Sequence, residues 1–355
     1  RIGAGGDSAG HCRAARAATS ASVTRSDPQF QLELGKCHLR SGRWDDALSA
    51  ARVAEANAQD IPERVTLLRR IGKAQEDMLA DSQAAFGAYG EALREDPNAE
   101  PILEDLERVA GYGGLWAELV GLLEDEVPNV SDEQAVLGFY LRSARIFEEE
   151  LGSNVEAIER FRSVMEIDPD HEKAILALDR LYLKEGMWAD LAEILQLEVE
   201  RAEDEARVPL LLRLGALFEN NLEDVHQAIS AYRDVLDLQA QQSEAVQALE
   251  RMFGAGFERP VIGELLEPIY TENEDWNRLH DLLHALLEHQ LPGDDRMRAM
   301  HRLAELSLEK LGDESRAFDW YGAAFKEVPE DEQSHQELAR LAGVTGRWPD
   351  LVVVY

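Results

Sequence analysis

Five of the six tryptophans in this chain recur at nearly equal intervals. Successive tryptophans are 72, 72, 88 and 72 residues apart, and each follows a short turn-like cluster of polar or glycine residues. A fixed period indicates one structural unit copied in tandem, and it constrains the fold more than any other feature of the sequence. The five positions are Trp44, Trp116, Trp188, Trp276 and Trp348.

Other residue types recur with the same period. Proline lies 19 residues before three of the tryptophans, at Pro97, Pro169 and Pro329, and an aromatic residue stands eight residues before each proline. Between these markers apolar residues recur at helical spacing, and no stretch alternates with period two. Because the residue before a proline resists the helical conformation, the prolines indicate helix ends. Each period of 72 residues therefore predicts four helices, or two helical hairpins.

The order of small and large residues in these hairpins resembles that of tetratricopeptide repeat (TPR) proteins. Later copies repeat it as Ile71-Gly72 with Tyr89 and as Leu214-Gly215 with Tyr232. The resemblance implies an all-α fold, a right-handed α-α superhelix of about nine hairpins, the last one truncated. The positions that carry it in the first hairpin are Leu34, Gly35, His38, Gly42, Ala47, Ala51 and Ala54.

The interval of 88 residues contains about 16 residues more than the others. Leu249–Phe253 and Leu266–Tyr270 look like two versions of one helix, so we expect one extra helix near 243–258 and a kink at Gly254–Gly256. The expected organisation is a disordered leader over 1–27, hairpins one to six over 28–242, the inserted helix over 243–259, and hairpins seven to nine over 260–355.

Composition limits the classes of partner. Seventy acidic residues against 36 basic ones give a formal net charge of -34, which repels nucleic acids and anionic lipid surfaces. No window reaches the roughly 18 consecutive apolar residues of a membrane-spanning helix. Two cysteines form neither a disulfide framework nor a zinc pattern, and they suit a reducing compartment. We therefore expect a cytoplasmic protein whose partner is another protein.

The TPR resemblance also implies a binding groove. In the family, the residue after the small position of each first helix points into the groove, and here that residue is basic in five consecutive copies. A second basic column lies three residues earlier on the same face. Arginine binds carboxylates with two parallel hydrogen bonds, so the stripe suits an acidic peptide or a chain-terminal carboxylate. The candidate groove residues are Lys36, Lys73, Arg108, Arg145, Arg180, Arg70 and Arg142.

A second interpretation of the basic stripe is structural. The same side chains can pair with acidic residues on neighbouring helices and so link the repeats, although an exposed pair of this kind contributes only about 0–1 kcal/mol. Regular spacing fits both interpretations. The acidic candidates are Glu76, Asp77, Glu148, Glu149 and Glu219.

No motif in the chain indicates catalysis. There is no phosphate-binding loop and no nucleophile elbow, so we expect no catalytic residue, no cofactor and no small-molecule ligand. His280 and His284 stand four apart on a helix, as zinc ligands do, but we expect a partly exposed, hydrogen-bonded pair that flanks the packing positions Leu279 and Leu283, and we predict no metal site. The sequence thus favours a scaffold or adaptor that binds proteins. Alternatives are the regulatory arm of a larger enzyme, or an acidic outer surface that holds a basic partner.

Overall fold

The computed structural model describes residues 31, 35, 36, 38, 43–288 and 292–355. These residues form eighteen α-helices with defined bounds and no β-strand, which confirms the prediction of an all-α repeat. The chain divides into two compact units, Arg1–Glu185 and Gly186–Tyr355. The leader expected over residues 1–27 lies outside the described residues.

Among its described residues, the first unit has eight helices with defined bounds and one short 3-10 turn, Val127–Asn129. Each helix packs mainly against its neighbours in sequence, and α2 with α3 and α6 with α7 make the most extensive contacts. Its core includes Tyr89, Leu106 and Phe139. The helices are α1 (Trp44–Ala56), α2 (Ile61–Leu79), α3 (Ser82–Glu95), α4 (Glu100–Gly113), α5 (Trp116–Glu126), α6 (Glu133–Glu149), α7 (Asn154–Ile167) and α8 (Glu172–Glu185).

The described residues of the second unit form ten helices. Here too packing is mainly between sequence neighbours, and α10 with α11 and α15 with α16 form its largest hairpin contacts. The helices are α9 (Trp188–Arg201), α10 (Asp204–Asn220), α11 (Val225–Leu238), α12 (Ser243–Ala255), α13 (Arg259–Glu272), α14 (Trp276–Leu287), α15 (Asp294–Glu309), α16 (Glu314–Glu327), α17 (Glu332–Thr345) and α18 (Trp348–Val354).

The repeat of 72 residues is visible in the helix order. Each repeat begins with a first helix (α2, α6, α10 or α15) and continues with a second helix (α3, α7, α11 or α16). A third helix follows (α4, α8, α12 or α17), and a helix that begins at tryptophan completes the repeat. Preceded by the helical residues 31, 35, 36 and 38, the eighteen helices match the expected nine hairpins and one extra helix.

The longest repeat contains the extra helix. After α12 the chain turns at Gly256, whose φ of 92° favours glycine, and α13 (Arg259–Glu272) follows before the next tryptophan. In the other repeats a single third helix fills this interval. The kink and the boundaries at residues 243 and 260 stay predictions.

Aspartate begins many of the helices. The Asp60 carboxylate accepts a hydrogen bond from the Glu63 amide at 2.8 Å, and Asp81 accepts one from the Ala84 amide at 2.9 Å. Such caps satisfy amides that have no partner inside the helix, and a negative charge there complements the helix dipole. Some of the chain's acidic residues therefore serve to cap helix N-termini. Asp132, Asp224, Asp275, Asp313 and Asp331 cap α6, α11, α14, α16 and α17 in the same way.

The turns before the helices that begin at Trp116, Trp188, Trp276 and Trp348 each contain a residue in the left-handed conformation. Gly114 and Gly346 have φ of 67° and 73° two residues before their tryptophans, and Gly186 has φ of 70°. The same place before Trp276 is occupied by Glu274, with φ of 56°. A residue with a Cβ atom pays about 1–2 kcal/mol in this conformation, whereas glycine does not.

Replacing Glu274 by glycine is therefore expected to raise the free energy of unfolding by about 1 kcal/mol, because the strain exceeds the extra entropy glycine has in the unfolded chain. Urea denaturation followed by circular dichroism measures it. Gly114→Ala is the matched control and should lose about as much, since an added Cβ at Gly114 meets no atom within 4 Å. An unchanged or lower stability of Glu274→Gly would contradict this reading of the turn.

Candidate peptide-binding groove

Arginine occupies the ninth residue of all four third helices. In three of them it reaches the first helix of the same repeat, where it pairs with a glutamate 32 residues earlier: Arg108 with Glu76, Arg180 with Glu148, and Arg251 with Glu219. Arg251 Nη2 lies 3.2 Å from Glu219 Oε2, and Arg180 Nη2 donates to Glu148 Oε2 at 2.9 Å. These pairs link the first and third helices of a repeat, as the structural interpretation of the stripe requires.

A tyrosine completes two of these pairs. The Tyr89 hydroxyl donates to Glu76 at 3.1 Å, and the Tyr232 hydroxyl donates to Glu219 at 2.8 Å. Burial raises the pKa of both tyrosines, so each stays a hydrogen-bond donor at neutral pH. In the second repeat Phe161 stands in the tyrosine's place and offers no hydroxyl to Glu148.

The fourth repeat shows what the glutamate contributes. Leu308 replaces it on α15, and Arg340 pairs instead with Glu337 on its own helix, at 2.7 Å. The arginine is thus present in every third helix, but its bond to the first helix exists only where a glutamate is placed to receive it.

The second repeat contains a groove that gathers three of the predicted stripe residues. Its volume is about 440 Å³, and it lies between α6 and α8 with α7 at its base. Gly138 leaves room in its wall, because a Cβ added there would meet no atom within 4 Å. The lining residues are Gly138, Leu141, Arg142, Arg145, Glu148, Glu149, Phe161, Lys173 and Arg180.

The cations of this groove differ in how firmly they are held. The Arg142 side chain is 20% exposed and pairs with both Glu100 and Glu107. Arg145 is 49% exposed and shares Glu107 with it, at 2.6 Å. The Arg180 side chain is 60% exposed. Arg142 is therefore fixed in place, and Arg145 and Arg180 remain accessible.

Glu148 holds Arg180 in its charged form. The side-chain hydrogen bond from Arg180 to Glu148 raises the pKa of the guanidinium, so the group is a permanent cation. Because Phe161 gives Glu148 no second donor, this carboxylate binds one guanidinium where Glu76 and Glu219 bind a guanidinium and a hydroxyl.

Lys173 is the groove cation that the sequence analysis missed. It is exposed at the second residue of α8 and makes no ion pair with any residue that the structure describes. The other third helices carry Pro101, Glu244 and Gln333 at this position, so a position-by-position comparison of the four copies would have singled it out.

The remaining stripe residues lie outside this groove. Arg108 pairs with Glu76 and Asp105, and Lys73 is exposed on α2. Lys36 and Arg70 line a smaller cavity of about 260 Å³ beside Trp44. The structure therefore brings together Arg142, Arg145 and Arg180, and places the other candidates elsewhere in the first unit.

The histidine pair of the second unit is part of an aromatic cluster. Trp320 Nε1 donates to His280 Nε2 at 3.0 Å, and the His284 ring lies edge-on to Trp320 with centroids 4.9 Å apart. This hydrogen bond needs an unprotonated Nε2. Burial lowers the pKa of His280 and the nearby Arg316 adds to the effect, while Asp281 opposes it.

Stability should consequently fall in mild acid. The unfolded chain protonates His280 near pH 6.5, roughly its ordinary pKa, whereas the folded chain resists protonation to a lower pH. The stability that unprotonated His280 contributes is therefore fully present above about pH 6.5, and it is lost as the pH falls through the lowered pKa of His280 in the folded chain. His280→Gln should flatten this part of the melting-temperature profile. His226→Gln, at an 82% exposed side chain, is the control and should leave the profile unchanged; equal profiles for both variants would refute the assignment.

Within the described part of the chain, no helix is long and apolar enough to cross a membrane. The same residues contain no cluster of three or more histidine, cysteine or acidic side chains arranged to hold a metal ion.

Comparison with known proteins gives structural likenesses only. No family model matches the chain, and no curated protein matches it. The solved structure of Naa15/Naa10 bound to HypK-THB matches at 14% identity with a TM-score of 0.34; the match covers 99% of this chain and 55% of that one, so the chain spans about half its length.

Two further structures are named as TPR proteins. The C-terminal part of a TPR repeat-containing protein from Cytophaga hutchinsonii is 14% identical, with a TM-score of 0.30, over 68% of this chain and 95% of that one. A tetratricopeptide repeat protein from Parabacteroides merdae is 13% identical, with a TM-score of 0.21, over 88% and 98%. TM-scores this low add nothing about function. The tandem helical hairpins of the chain itself, with their small residues and recurring aromatic positions, make it a TPR-like α-helical repeat protein.

Proposed function

We propose that this chain is a non-catalytic scaffold or adaptor that binds a protein segment carrying carboxylates in the groove between α6 and α8. The observation that carries the proposal is the meeting of Arg142, Arg145, Lys173 and Arg180 around one cavity of about 440 Å³. In a chain of formal net charge -34, a groove lined by four cations against two carboxylates, Glu148 and Glu149, has a net positive lining.

The ion pairs within the groove leave its arginines open to a ligand. Arg180 and Arg145 are about half exposed, whereas their partners Glu148 and Glu107 are only 14% and 22% exposed. An entering carboxylate can therefore bind the exposed side of each guanidinium while Glu148 and Glu107 stay in place. Lys173 makes no ion pair with the described residues, so no existing ion pair of Lys173 has to be broken when it binds a ligand carboxylate.

Arg142 has a different part in the proposal. It is largely buried between Glu100 and Glu107, so it fixes the position of Glu107 beside Arg145. Gly138 and Leu141 provide open, uncharged space next to these cations for the backbone of the ligand. The stripe residues Lys36, Lys73, Arg108 and Arg70 lie outside this groove and are proposed as secondary contacts for the same acidic segment.

The test is the binding of a fluorescently labelled, glutamate-rich peptide, followed by anisotropy. The triple variant Arg145→Glu/Lys173→Glu/Arg180→Glu is expected to weaken binding about tenfold to a hundredfold, because each exposed ion pair contributes up to about 1 kcal/mol and the introduced glutamates repel the acidic peptide. The Gln triple variant should weaken it less, and added salt should weaken binding to the wild type.

Arg251→Glu is the matched control, since Arg251 occupies the same helix position as Arg180 and pairs with a glutamate in the same way. It should lose comparable local stability yet keep peptide affinity. Equal affinities of the wild type and the folded triple variant would overturn the proposal, and so would an equal loss in Arg251→Glu.

A further inference from the structure

Helix α8 exposes two leucines beside its cations. Leu176 is 55% exposed and Leu183 is 53% exposed, although the opposite face of the helix is buried. Arg180 lies four residues after the first leucine and three before the second, and Lys173 lies three residues before Leu176. Residues three, four and seven apart share one helix face, so cations and leucines alternate along a single exposed stripe.

The other third helices show that this exposed face of α8, with its alternating cations and leucines, is not needed for the fold. At the position of Leu183 they carry Gly111, Gly254 and Gly343. At the position of Leu176 they carry Glu104, Gln247 and Gln336. The buried positions, by contrast, keep apolar or small residues in nearly every copy, for example Leu106, Leu178, Leu249 and Leu338. Copies of one unit that share a packing role but differ at exposed positions indicate that α8 has acquired something beyond packing.

The leucines and cations on the exposed face of α8 indicate the chemistry of the partner surface. Burying a leucine side chain that is half exposed is favourable, so Leu176 and Leu183 favour a partner with apolar side chains opposite them. Lys173 and Arg180, on the same face, require carboxylates opposite them. A neutral apolar partner would desolvate Lys173 without giving it an ion pair and would leave Arg180 with Glu148 as its partner, and a purely acidic partner would leave the leucines in water.

Spacing selects a helical partner. Leu176 and Leu183 are two helical turns apart, about 10.5 Å along the axis. In a second helix lying along α8, apolar side chains seven residues apart have the same axial spacing as these two leucines, as in coiled coils. Side chains on one face of an extended strand recur about every 6.6 Å and do not match.

We infer that the segment bound by the groove is an acidic amphipathic helix, which lies along α8, places apolar side chains seven residues apart on Leu176 and Leu183, and presents carboxylates to Lys173 and Arg180. This inference rests on the proposed function and identifies the kind of partner that the site takes. Helix-in-groove recognition of this type uses apolar anchors on one face for affinity and charges at the edge for orientation.

Two labelled peptides of identical composition test it. In the first, leucines recur every seven residues with glutamates between them on the same face; in the second, the same residues are scrambled so that no leucine face forms. The wild type is expected to bind the first peptide about tenfold or more tightly than the second. The variant Leu176→Gln/Leu183→Gln should bind both alike, since glutamine keeps the helix propensity of leucine.

Leu238→Gln, at another partly exposed leucine, is the control and should leave the preference intact. Equal binding of the two peptides to the wild type would overturn the inference while leaving the proposed function standing, provided that Arg145→Glu/Lys173→Glu/Arg180→Glu still weakens both. If that charge reversal changes neither affinity, or if neither peptide binds, the proposed function falls and the inference falls with it.

Discussion

Replacing Phe139 by alanine is expected to lower the free energy of unfolding by about 3–5 kcal/mol. The Phe139 ring is 1% exposed on α6 and belongs to the core that α6 shares with the preceding helices of the first unit, including Leu106 and Leu119. Truncation removes the burial of the ring and leaves a cavity that helices held on both sides cannot close. Urea denaturation followed by tryptophan fluorescence and circular dichroism measures the loss.

The control for Phe139→Ala is Val155→Ala on α7, where the side chain is 58% exposed. This variant should change stability by less than about 0.5 kcal/mol. The loss of unfolding free energy at Phe139 should also exceed that of an equivalent substitution in a terminal helix, because the helices on both sides of α6 lose packing contacts together. A loss below about 1 kcal/mol would mean that α6 does not pack on the first-unit core as described.

The second large effect is expected at Gly215. A Cβ atom added there would lie 2.7 Å from the Tyr232 ring, closer than such atoms approach in folded proteins. Gly215→Leu must therefore displace the ring and the Tyr232–Glu219 hydrogen bond, and we expect a loss of about 3 kcal/mol. Thermal and urea denaturation of the variant measure it.

Two comparisons sharpen the test at Gly215. In the fourth repeat Ala304 packs with Tyr321 in the same core, so Gly215→Ala should cost less than Gly215→Leu. Gly87→Leu is the matched control, because a Cβ at this helical glycine meets nothing within 4 Å, and the better helix former should stabilise by about 0.5–1 kcal/mol. If Gly215→Leu were as stable as Gly87→Leu, the close approach of the first and second helices would be refuted.

The helical repeat could be predicted from sequence because its markers are local. All five periodic tryptophans are the first residues of helices, and glycine precedes three of those helices in the left-handed conformation. Turn chemistry and apolar spacing act within a few residues, so one sequence is enough to place them.

The extra helix was partly predictable. Two similar apolar patterns around Leu249 and Leu266 indicated that one helix was additional, and α12 and α13 lie there. Their roles could not be distinguished by pattern alone. The ion pair of Arg251 with Glu219 gives α12 the same contact to its first helix that α4 and α8 make through Arg108 and Arg180. That pairing depends on how α10 and α12 stack, which sequence spacing does not give.

The groove was the least predictable feature. The periodic arginines were visible, but whether each faces a glutamate, a tyrosine-bound glutamate or open space depends on residues from another helix. Glu107 serves both Arg142 and Arg145 across helices, and Phe161 leaves Glu148 to Arg180 alone. Such differences among near-identical copies become meaningful only when the helices are placed side by side.

The most direct test of the central claim, that the groove of α6 and α8 binds an acidic segment, is hydrogen–deuterium exchange with and without the leucine-bearing acidic peptide. Binding orders the contacted helices and slows exchange there. We expect slowed exchange in Gly138–Glu149 and Lys173–Leu183 and none in the equivalent helix α12 around Arg251. Protection of α12 to the same extent, or the absence of protection in α6 and α8 at saturating peptide, would contradict the account.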